Sequence, residues 1–302
     1  MSRHLVVGAA GLVGSHLWAF LSDAGVEVSA CDVDSLPVGI SLDIRDRQQV
    51  ARVFSELRPD VVYLAAAITH VDYCESHPEE TRSVNVRGAI NVAEAASAID
   101  AKVVYFSSDY VFDGTNGPYS ETDPTNPICE YGRQKVLVEQ YLALVSLDCL
   151  IIRTTVVYGW EWQRKNFVCR LLRTLQDGKA LYAPADQIGS PTYAPDLAEG
   201  VFKLVRSGAR GLYHVVGAQT ASRYDFAVAA ATAFGLPATL IRPVVTAELG
   251  QAARRPLSGG MKTAKLVDSV GYSPRAYPEG LRTMATNSNA SLTGSLSSLN
   301  PS

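Results

Sequence analysis

The sequence predicts a doubly wound α/β fold, in which helices cover both faces of a parallel sheet and a smaller C-terminal lobe lies over one edge. Two observations predict it. Short, nearly continuous apolar runs alternate with longer segments of helical periodicity, as expected for strands that are buried on both faces. A glycine-rich turn, GAAGLVG at 8–14, joins the first apolar run to the first helical segment. Such a fold binds its ligand beyond the carboxyl ends of the strands.

Each apolar run is rich in β-branched residues and is bounded by polar or turn-forming ones, which indicates a strand. The predicted strands span 4–9, 26–32, 39–44, 60–66, 101–108, 149–155 and 211–216. The intervening segments have the apolar spacing of helices. The predicted helices span 12–24, 46–57, 79–98, 131–146 and 223–235.

Bulk composition excludes some classes of partner. With 27 basic and 30 acidic residues the net charge is −3, which gives no broad positive field for nucleic acid or an anionic membrane. Five cysteines form no CxxC pair and cannot all be joined, so we expect free thiols in a reducing cytoplasm. The apolar N-terminus is interrupted by glycines and has no cleavage site, so it predicts a strand and helix rather than a secretory signal. No later run approaches the ~18 residues of a membrane span.

The turn at 8–14 has the properties of a dinucleotide-binding site. Gly8 allows a tight turn, Gly11 lets a phosphate approach the backbone, and Gly14 lets the helix pack on the strand. The helix N-terminus then offers free N–H groups to a pyrophosphate. Asp32 ends the second predicted strand, where a carboxylate can accept the ribose hydroxyls. The alternative is a structural turn followed by a surface aspartate.

A second group of residues suggests carbonyl chemistry. Tyr131 and Lys135 are four residues apart at the start of a predicted helix, so they share one face. We expect the lysine ammonium to lower the pKa of the tyrosine from ~10. Ser108, at the end of the fifth strand in SSDYVFDG, can hydrogen-bond a carbonyl that is being reduced. In the alternative interpretation, Lys135 pairs with Glu139 on an exposed helix face.

In these motifs the chain resembles the extended short-chain dehydrogenases/reductases, and specifically the dTDP-4-dehydrorhamnose reductase family. The resemblance covers about residues 3–282, and SSDYVFDG and DQIGSPT are its specific parts, since the glycine turn and YxxxK are shared more widely. The other matching stretches, in family order, are RPDVVYLAA, YSETD, YGRQK, RTTVVYG, NFV, GLYHVVG and RRPLSGGM. It implies a Rossmann fold that uses NADPH or NADH to reduce a 4-keto-6-deoxy nucleotide-sugar substrate.

The resemblance also implies site residues. The catalytic residues would be Ser108, where family members often have threonine, with Tyr131 and Lys135. The cofactor would be lined by Gly8, Gly11, Leu12, Val13, Gly14, Asp32, Asp43, Ile44, Ala65, Ala66, Ala67, Tyr131 and Lys135. The sugar nucleotide would meet Thr69, Val71, Tyr110, Val156, Asn166, Arg254 and Arg255. Asn85 would support the lysine through the helix it begins, or would be a plain helix cap.

The domain limits follow from these assignments and from the distribution of prolines and turn residues. The dinucleotide-binding domain is predicted to span 1–157, with return segments near 192–230. The substrate-binding lobe would comprise 158–191 and 231–285. Residues 286–302 are too poor in large apolar side chains to pack, which predicts a disordered tail. A homodimer is left open, and no cysteine, histidine or acidic cluster has the spacing of a metal site.

Two features leave the substrate and cofactor partly open. Val156 stands where rhamnose-pathway reductases commonly have tryptophan, which loosens the inference about the sugar. Asp32 and Asp34 favour NADH on charge, whereas the family resemblance favours NADPH, so we expect use of both.

Two alternative functions share this scaffold. A sugar-nucleotide epimerase or dehydratase would need acid or base groups beyond the three catalytic residues. A non-catalytic regulatory subunit, resembling the β subunit of methionine adenosyltransferase, would also carry an intact YxxxK, so the triad does not separate it from a reductase.

Overall fold

The computed structural model describes residues 2–34, 39–145 and 148–287. Of the predicted tail 286–302, residues 288–302 lie outside this part of the chain, whereas Thr286 is the last residue of a helix. The strands are β1 (Arg3–Val7), β2 (Glu27–Asp32), β3 (Ile40–Ser41), β4 (Val61–Leu64), β5 (Lys102–Ser108), β6 (Cys149–Thr154), β7 (Val157–Tyr158), β8 (Leu181–Pro184), β9 (Ile188–Gly189), β10 (Thr192–Tyr193), β11 (Gly211–His214), β12 (Ala221–Ser222) and β13 (Ile241–Val244). The α-helices are α1 (Leu12–Asp23), α2 (Arg47–Leu57), α3 (Val71–Ser76), α4 (Pro78–Arg82), α5 (Ala89–Ser97), α6 (Glu130–Leu144), α7 (Phe167–Gln176), α8 (Ala194–Arg206), α9 (Arg223–Ala233), α10 (Ala264–Val270) and α11 (Tyr277–Thr286). None of these helices combines the length and the apolar character that crossing a membrane requires.

A seven-stranded parallel sheet forms the centre of the fold, in the order β11-β6-β5-β4-β1-β2-β3. The order reverses between β1 and β4, so the connections leave in opposite directions and open a crevice at the carboxyl ends of the strands. β11 closes the sheet by pairing with β6, from Gly211 beside Leu150 to His214 beside Arg153. The prediction of a doubly wound sheet is confirmed.

The two faces of the sheet carry separate cores. Alternate residues of each strand point to opposite faces, so neighbours such as Val6 and Val7 belong to different cores. On one face the core includes α2, α5 and α6, and on the other it includes α1, α8 and α10. Burial of apolar side chains on both faces explains why the strands read as continuous apolar runs.

A third core lies in the C-terminal half of the chain, where the sequence predicted mainly loops. It joins α7, α9 and α11, with Phe226 of α9 at its centre and Leu281 of α11 against it. In α7 the buried residues Val168, Leu171 and Leu175 follow the 3.6-residue period of one helix face. The short strands β8 and β13 pair beside this core. The helices α7, α8, α10 and α11 were missed by the sequence prediction, which gave only the helix 223–235 in this half of the chain.

The predicted helix 79–98 is not continuous. It consists of α4, a π-helical turn at Ser83–Gly88, and α5, and it is preceded by the unpredicted α3. A Cβ on Gly88 would lie 2.6 Å from Cγ1 of Ile44, so the chain approaches the β3 region closely here. The π-turn carries Asn85 inward, which places a polar side chain beside the crevice.

Candidate active site

The glycine-rich turn has the shape that a bound pyrophosphate needs. A Cβ on Gly8, whose φ is +92°, would lie 2.4 Å from the backbone nitrogen of Ala66, and a Cβ on Gly14 would lie 2.1 Å from the oxygen of Gly8. At Gly11 a Cβ would meet only that same oxygen, at 3.5 Å, so its outer side is open. No side chain caps α1 where it begins at Leu12. Its first N–H groups can therefore bind an anion.

Two of the residues predicted to line the cofactor are carboxylates. Asp32 is buried, and its oxygens accept hydrogen bonds from the backbone N–H of Ala10 at 2.8 Å and of Asp34 at 3.1 Å. Each oxygen keeps a lone pair that a ribose hydroxyl can use. Asp43 instead accepts three hydrogen bonds from the guanidinium of Arg45, of 3.0, 3.0 and 2.6 Å, and this pairing lowers the pKa of the Asp43 carboxyl.

Ala65 and Ala66, which are also predicted to line the cofactor, lie against Gly8 of the glycine-rich turn. Ala65, Ala66 and Ala67 follow β4 and are half-buried. Val13 packs against the core on the α1 face, and Ile44 belongs to the core on the opposite face. The glycine turn and the carboxyl end of β4 are thus brought together as the prediction requires.

The three predicted catalytic side chains meet at the carboxyl end of β5. Ser108 is the last residue of β5, and its hydroxyl donates to Oδ1 of Asp109 at 2.9 Å. Tyr131 and Lys135 are both buried on α6. Nζ of Lys135 donates to the carbonyl oxygen of Phe106 at 2.8 Å and lies 5.6 Å from the centre of the Tyr131 ring.

Burial has the largest effect on the pKa values of Lys135 and Tyr131. It lowers the pKa of Lys135 to about 8, against an opposing effect of Glu139. Burial also raises the pKa of Tyr131, and Cys74 and Asp109 act in the same direction. The prediction of a lowered tyrosine pKa is therefore wrong, because desolvation of the phenolate outweighs the nearby ammonium. A phenol that stays protonated is the form that can donate a proton.

The alternative interpretation, in which Lys135 forms a surface pair with Glu139, is also wrong. Glu139 is buried and accepts two hydrogen bonds from Arg153, from Nε at 3.0 Å and from Nη2 at 2.6 Å. Lys135 points instead to β5. Both partners of the Glu139 pair are desolvated, so the pair fixes α6 against β6 from behind the catalytic lysine.

Asn85 connects the crevice loop to the catalytic helix. Its Oδ1 accepts from the N–H of Ile68 at 2.7 Å, and its Nδ2 donates to the carbonyl of Ile68 at 2.9 Å and to Oε1 of Gln134 at 2.7 Å. Since Asn85 lies within the π-turn and no side chain caps that turn, the helix-cap alternative is wrong. Gln134 precedes Lys135 on α6, so Asn85 holds the loop after β4 at a fixed distance from the lysine.

Tyr110 and Val156 lie in the wall of a narrow crevice of about 20 Å³ beside the catalytic group. The Tyr110 ring meets the Tyr131 ring edge to face, with centres 5.7 Å apart. Val156 has φ +46°, a left-handed backbone that a β-branched residue rarely adopts. Strain of this kind is concentrated at functional sites.

The other predicted substrate residues lie further out. Thr69 is exposed, and Val71 begins α3 and packs against the cluster around Tyr131. Arg255 donates from Nη2 to Oδ2 of Asp72 at 2.8 Å, and its side chain is largely buried, whereas Arg254 is exposed. Their contacts with substrate remain predictions.

Asn166 has a structural task within the chain. As the N-cap of α7 it accepts from the N–H of Cys169 at 3.3 Å, and its Nδ2 donates to the carbonyl of Gly159 at 2.9 Å and to Oε1 of Glu161 at 2.8 Å. Contact between Asn166 and a sugar nucleotide also remains a prediction.

Three polar side chains in this narrow crevice were not predicted as site residues. They are Asp109, Gln187 and Arg223, which lie in its wall with Tyr110 and Val156. The N–H of Arg223 donates to the carbonyl of Gln187 at 2.9 Å, and its guanidinium favours ionised Asp109, although burial raises the pKa of that carboxyl. For Asp109 and Gln187 the signals were the SSDYVFDG and DQIGSPT stretches, which do not show that the two residues lie close together, and no motif pointed to Arg223.

A parallel sheet with a glycine-rich turn, a carboxylate at the end of β2 and a buried Ser–Tyr–Lys group defines an extended short-chain dehydrogenase/reductase. Within that class, the chain belongs to the RmlD substrate binding domain family, whose model matches residues 2–290.

Individual relatives match over nearly the whole chain. The spore coat polysaccharide biosynthesis protein SpsK of Bacillus subtilis is 38% identical, over 93% of this chain and 96% of its own length. A dTDP-4-dehydrorhamnose reductase of Aggregatibacter actinomycetemcomitans is 34% identical, over 93% of this chain and 98% of its own. The structure of dTDP-4-dehydrorhamnose reductase from Bacillus anthracis in complex with NADP is 31% identical, with a TM-score of 0.88 over 95% of this chain and 100% of the other.

Proposed function

We propose that this chain reduces the keto group of a 4-keto-6-deoxy sugar nucleotide, with NADPH or NADH as the hydride source. The observation that carries the proposal is the meeting of Ser108, Tyr131 and Lys135 at the end of β5, beside an open phosphate-binding turn. Relatives named dTDP-4-dehydrorhamnose reductase, matching over nearly the full chain, support both the reaction and the class of substrate.

The dinucleotide would be held by the turn and by α6. The N–H groups at the start of α1 would bind the pyrophosphate, and Asp32 would accept a hydroxyl of the adenosine ribose. Lys135 would bind the nicotinamide ribose, and its bond to the Phe106 carbonyl already fixes the direction of its ammonium. The bound cofactor supplies the hydride, and the protein supplies orientation and the proton.

The proton would come from Tyr131. Because burial raises the pKa of its phenol, it is protonated before reaction and can donate to the keto oxygen as negative charge develops there. Ser108 would turn its hydroxyl from Asp109 to the same oxygen and polarise the carbonyl. Reduction requires no further acid or base, which favours it over epimerisation or dehydration.

The division of the chain remains part of this proposal. We place the dinucleotide site in residues 1–157 and the return segments 192–230, and the substrate lobe in 158–191 and 231–285. The separate core that α7 and β8 form with α9 supports such a lobe, and Phe226 of α9 belongs to this core although it lies within the return segment 192–230. Thr69, Val71, Tyr110, Val156, Asn166, Arg254 and Arg255 are proposed to face the sugar nucleotide.

A panel of nucleotide-linked 4-keto sugars, followed by loss of the reduced cofactor's absorbance, tests the function. The expected result is turnover of at least one member with either NADPH or NADH. Binding of dinucleotide without turnover of any keto-sugar nucleotide, together with co-purification of a partner enzyme, would favour the regulatory subunit instead.

Location and assembly are further proposals. All five cysteines are free and buried, which is typical of a reducing compartment and supports a cytoplasmic location. The exposed Leu137 and Leu144 on α6 provide apolar surface that a second copy would cover in a homodimer. Light scattering at several concentrations would test the dimer.

A further inference from the structure

The loop 159–166, which connects β7 to α7, is fixed at its base by buried groups. The carbonyl of Trp160 accepts a hydrogen bond from Nε2 of His16 on α1 at 2.8 Å. Nε1 of Trp160 donates to the carbonyl of Met284 at 3.0 Å. The buried carboxylate of Glu161 accepts from the N–H and the side-chain amide of Asn166. The loop is therefore anchored both to the first helix and to α11.

The tip of this loop reaches the adenosine end of the dinucleotide crevice. Nε2 of Gln163 donates to Oδ2 of Asp34 at 3.3 Å, across a sequence separation of 129 residues. Asp34 follows Asp32, whose carboxylate accepts its N–H. The next residues after Gln163 are the exposed Arg164 and Lys165, each one Cα step of ~3.8 Å further along. Gln163 thus contacts Asp34, two residues beyond Asp32, and two exposed basic residues follow Gln163 in the chain.

Arg164 and Lys165 have no ion-pair partner among the described side chains, in contrast to Arg45 and Arg47 of the first domain. Arg45 is paired with Asp43, and Arg47 is paired with Glu94 at 3.0 Å. The φ of Arg164 is +49°, in a turn closed by its N–H to the carbonyl of Glu161 at 3.2 Å. The turn holds these two exposed basic residues next to Gln163, which contacts Asp34.

We propose that Arg164 and Lys165 bind the 2′-phosphate of NADPH, so that the second half of the chain supplies the positive charge that is missing after β2. The inference rests on the proposed function. A guanidinium and an ammonium are the side chains suited to a phosphate, and they offset the repulsion from Asp32 and Asp34. The 2′-hydroxyl of NADH makes no such contact. The two residues would therefore raise the affinity for NADPH and leave the contacts common to both cofactors unchanged.

The test is the dissociation constant of NADP⁺ and of NAD⁺, measured by calorimetry without any sugar nucleotide. In Arg164→Ala/Lys165→Ala we expect NADP⁺ to bind about tenfold more weakly, since two exposed charge contacts are lost, while NAD⁺ changes less than about twofold. Lys179→Ala is the matched control, because it removes a charge beyond the far end of α7, about 15 Å along a ten-residue helix. It should leave both constants unchanged.

A second probe isolates the phosphate. 2′,5′-ADP should lose affinity for the double variant, whereas 5′-AMP should not. An equal loss for NADP⁺ and NAD⁺, or no loss for either, would overturn the inference while leaving the reductase proposal intact. Wild type that binds both dinucleotides, shows the predicted loss and reduces no keto-sugar nucleotide would uphold the inference and overturn the proposed substrate class.

Discussion

The proposed active site has two walls, and they are built in different ways. The catalytic wall belongs to β5 and α6, where Ser108 and Lys135 are buried and each is bonded to a neighbouring residue. The opposite wall comes mainly from loops and two-residue strands, with Val156 in a left-handed conformation and Arg223, the first residue of α9, bonded to the carbonyl of Gln187. Strands and helices thus hold the proposed catalytic side chains in place. Loops, which tolerate substitution better, line the space proposed for the substrate. Substitutions in the first wall should therefore alter the rate, and those in the second should alter the choice of substrate.

The largest effect is expected on the catalytic wall. Tyr131→Phe removes the proposed proton donor and keeps the buried ring, so kcat should fall by about 10²–10⁴-fold. Dinucleotide affinity and Tm should stay near the wild-type values. Tyr141→Phe, also on α6, removes a hydroxyl 3.4 Å from Glu94 and should leave the rate unchanged. A Tyr131→Phe enzyme with a tenth or more of the wild-type kcat would assign the proton to another group.

The pH dependence gives the next largest effect. Burial lowers the pKa of Lys135 to about 8. In the proposed mechanism the ammonium form of Lys135 binds the nicotinamide ribose and lies beside the phenol of Tyr131. The protonated fraction is complete well below that value and declines above it, so kcat/KM should fall by up to about tenfold per pH unit on the alkaline side. Dinucleotide affinity should fall in the same range.

Lys135→Met is the companion measurement. It removes the charge at every pH, so both the rate and dinucleotide binding should be low, and the alkaline fall assigned to Lys135 should disappear. A wild-type profile that stays level to pH 10 would show that the ammonium is not required.

On the loop wall, Val156→Trp should change which sugar nucleotide is preferred, and not the rate of the chemical step. The added ring narrows the crevice beside Tyr110, and relative kcat/KM values among 4-keto sugar nucleotides should shift by about 10- to 200-fold. Dinucleotide affinity should not change. Val245→Trp, at an exposed position, is the control. An unaltered ranking of substrates would place Val156 outside the sugar pocket.

The smallest effect is expected on stability, and it compares a left-handed residue outside the proposed site with one inside it. Arg58 ends α2 with φ 45° and ψ 58°, the left-handed cap that glycine adopts without cost. Arg58→Gly should raise the free energy of unfolding by about 1 kcal/mol, measured by urea denaturation, with no change in substrate preference. Val156 has the same backbone strain, and its substitution should affect preference. A loss of stability in Arg58→Gly would show that the arginine side chain matters more than the backbone.

The difference between regular elements and loops also explains which parts of the structure could be predicted from the sequence. The central strands and the Gly8–Gly14 turn depend on local patterns, and the predicted sheet was confirmed. The π-turn around Asn85 was missed, because its bonds to Ile68 and Gln134 join distant segments. The direction of the Tyr131 pKa was wrong for a related reason, since an i, i+4 spacing shows that the ammonium is near but not how deeply the phenol is buried.

The C-terminal half was the least predictable part. The apolar spacing of α7 was present in the sequence, but prolines and turn residues on either side of it indicated loops. The meeting of Gln187 with Arg223 depends on the pairing of β9 with β12, which no local pattern specifies. Gln187 and Arg223 were therefore found as crevice residues only in the folded chain.

The pairing of β11 with β6 has a consequence for synthesis of the protein on the ribosome. β6 ends at Thr154, and its partner begins only at Gly211, so one edge of the growing sheet stays unpaired while the intervening segment is made. An unpaired apolar edge can join another chain. Nascent chains that stop before residue 214 should therefore depend on chaperones, and a ribosome pause placed just after β6 should lower the yield of native protein more than one placed after β11.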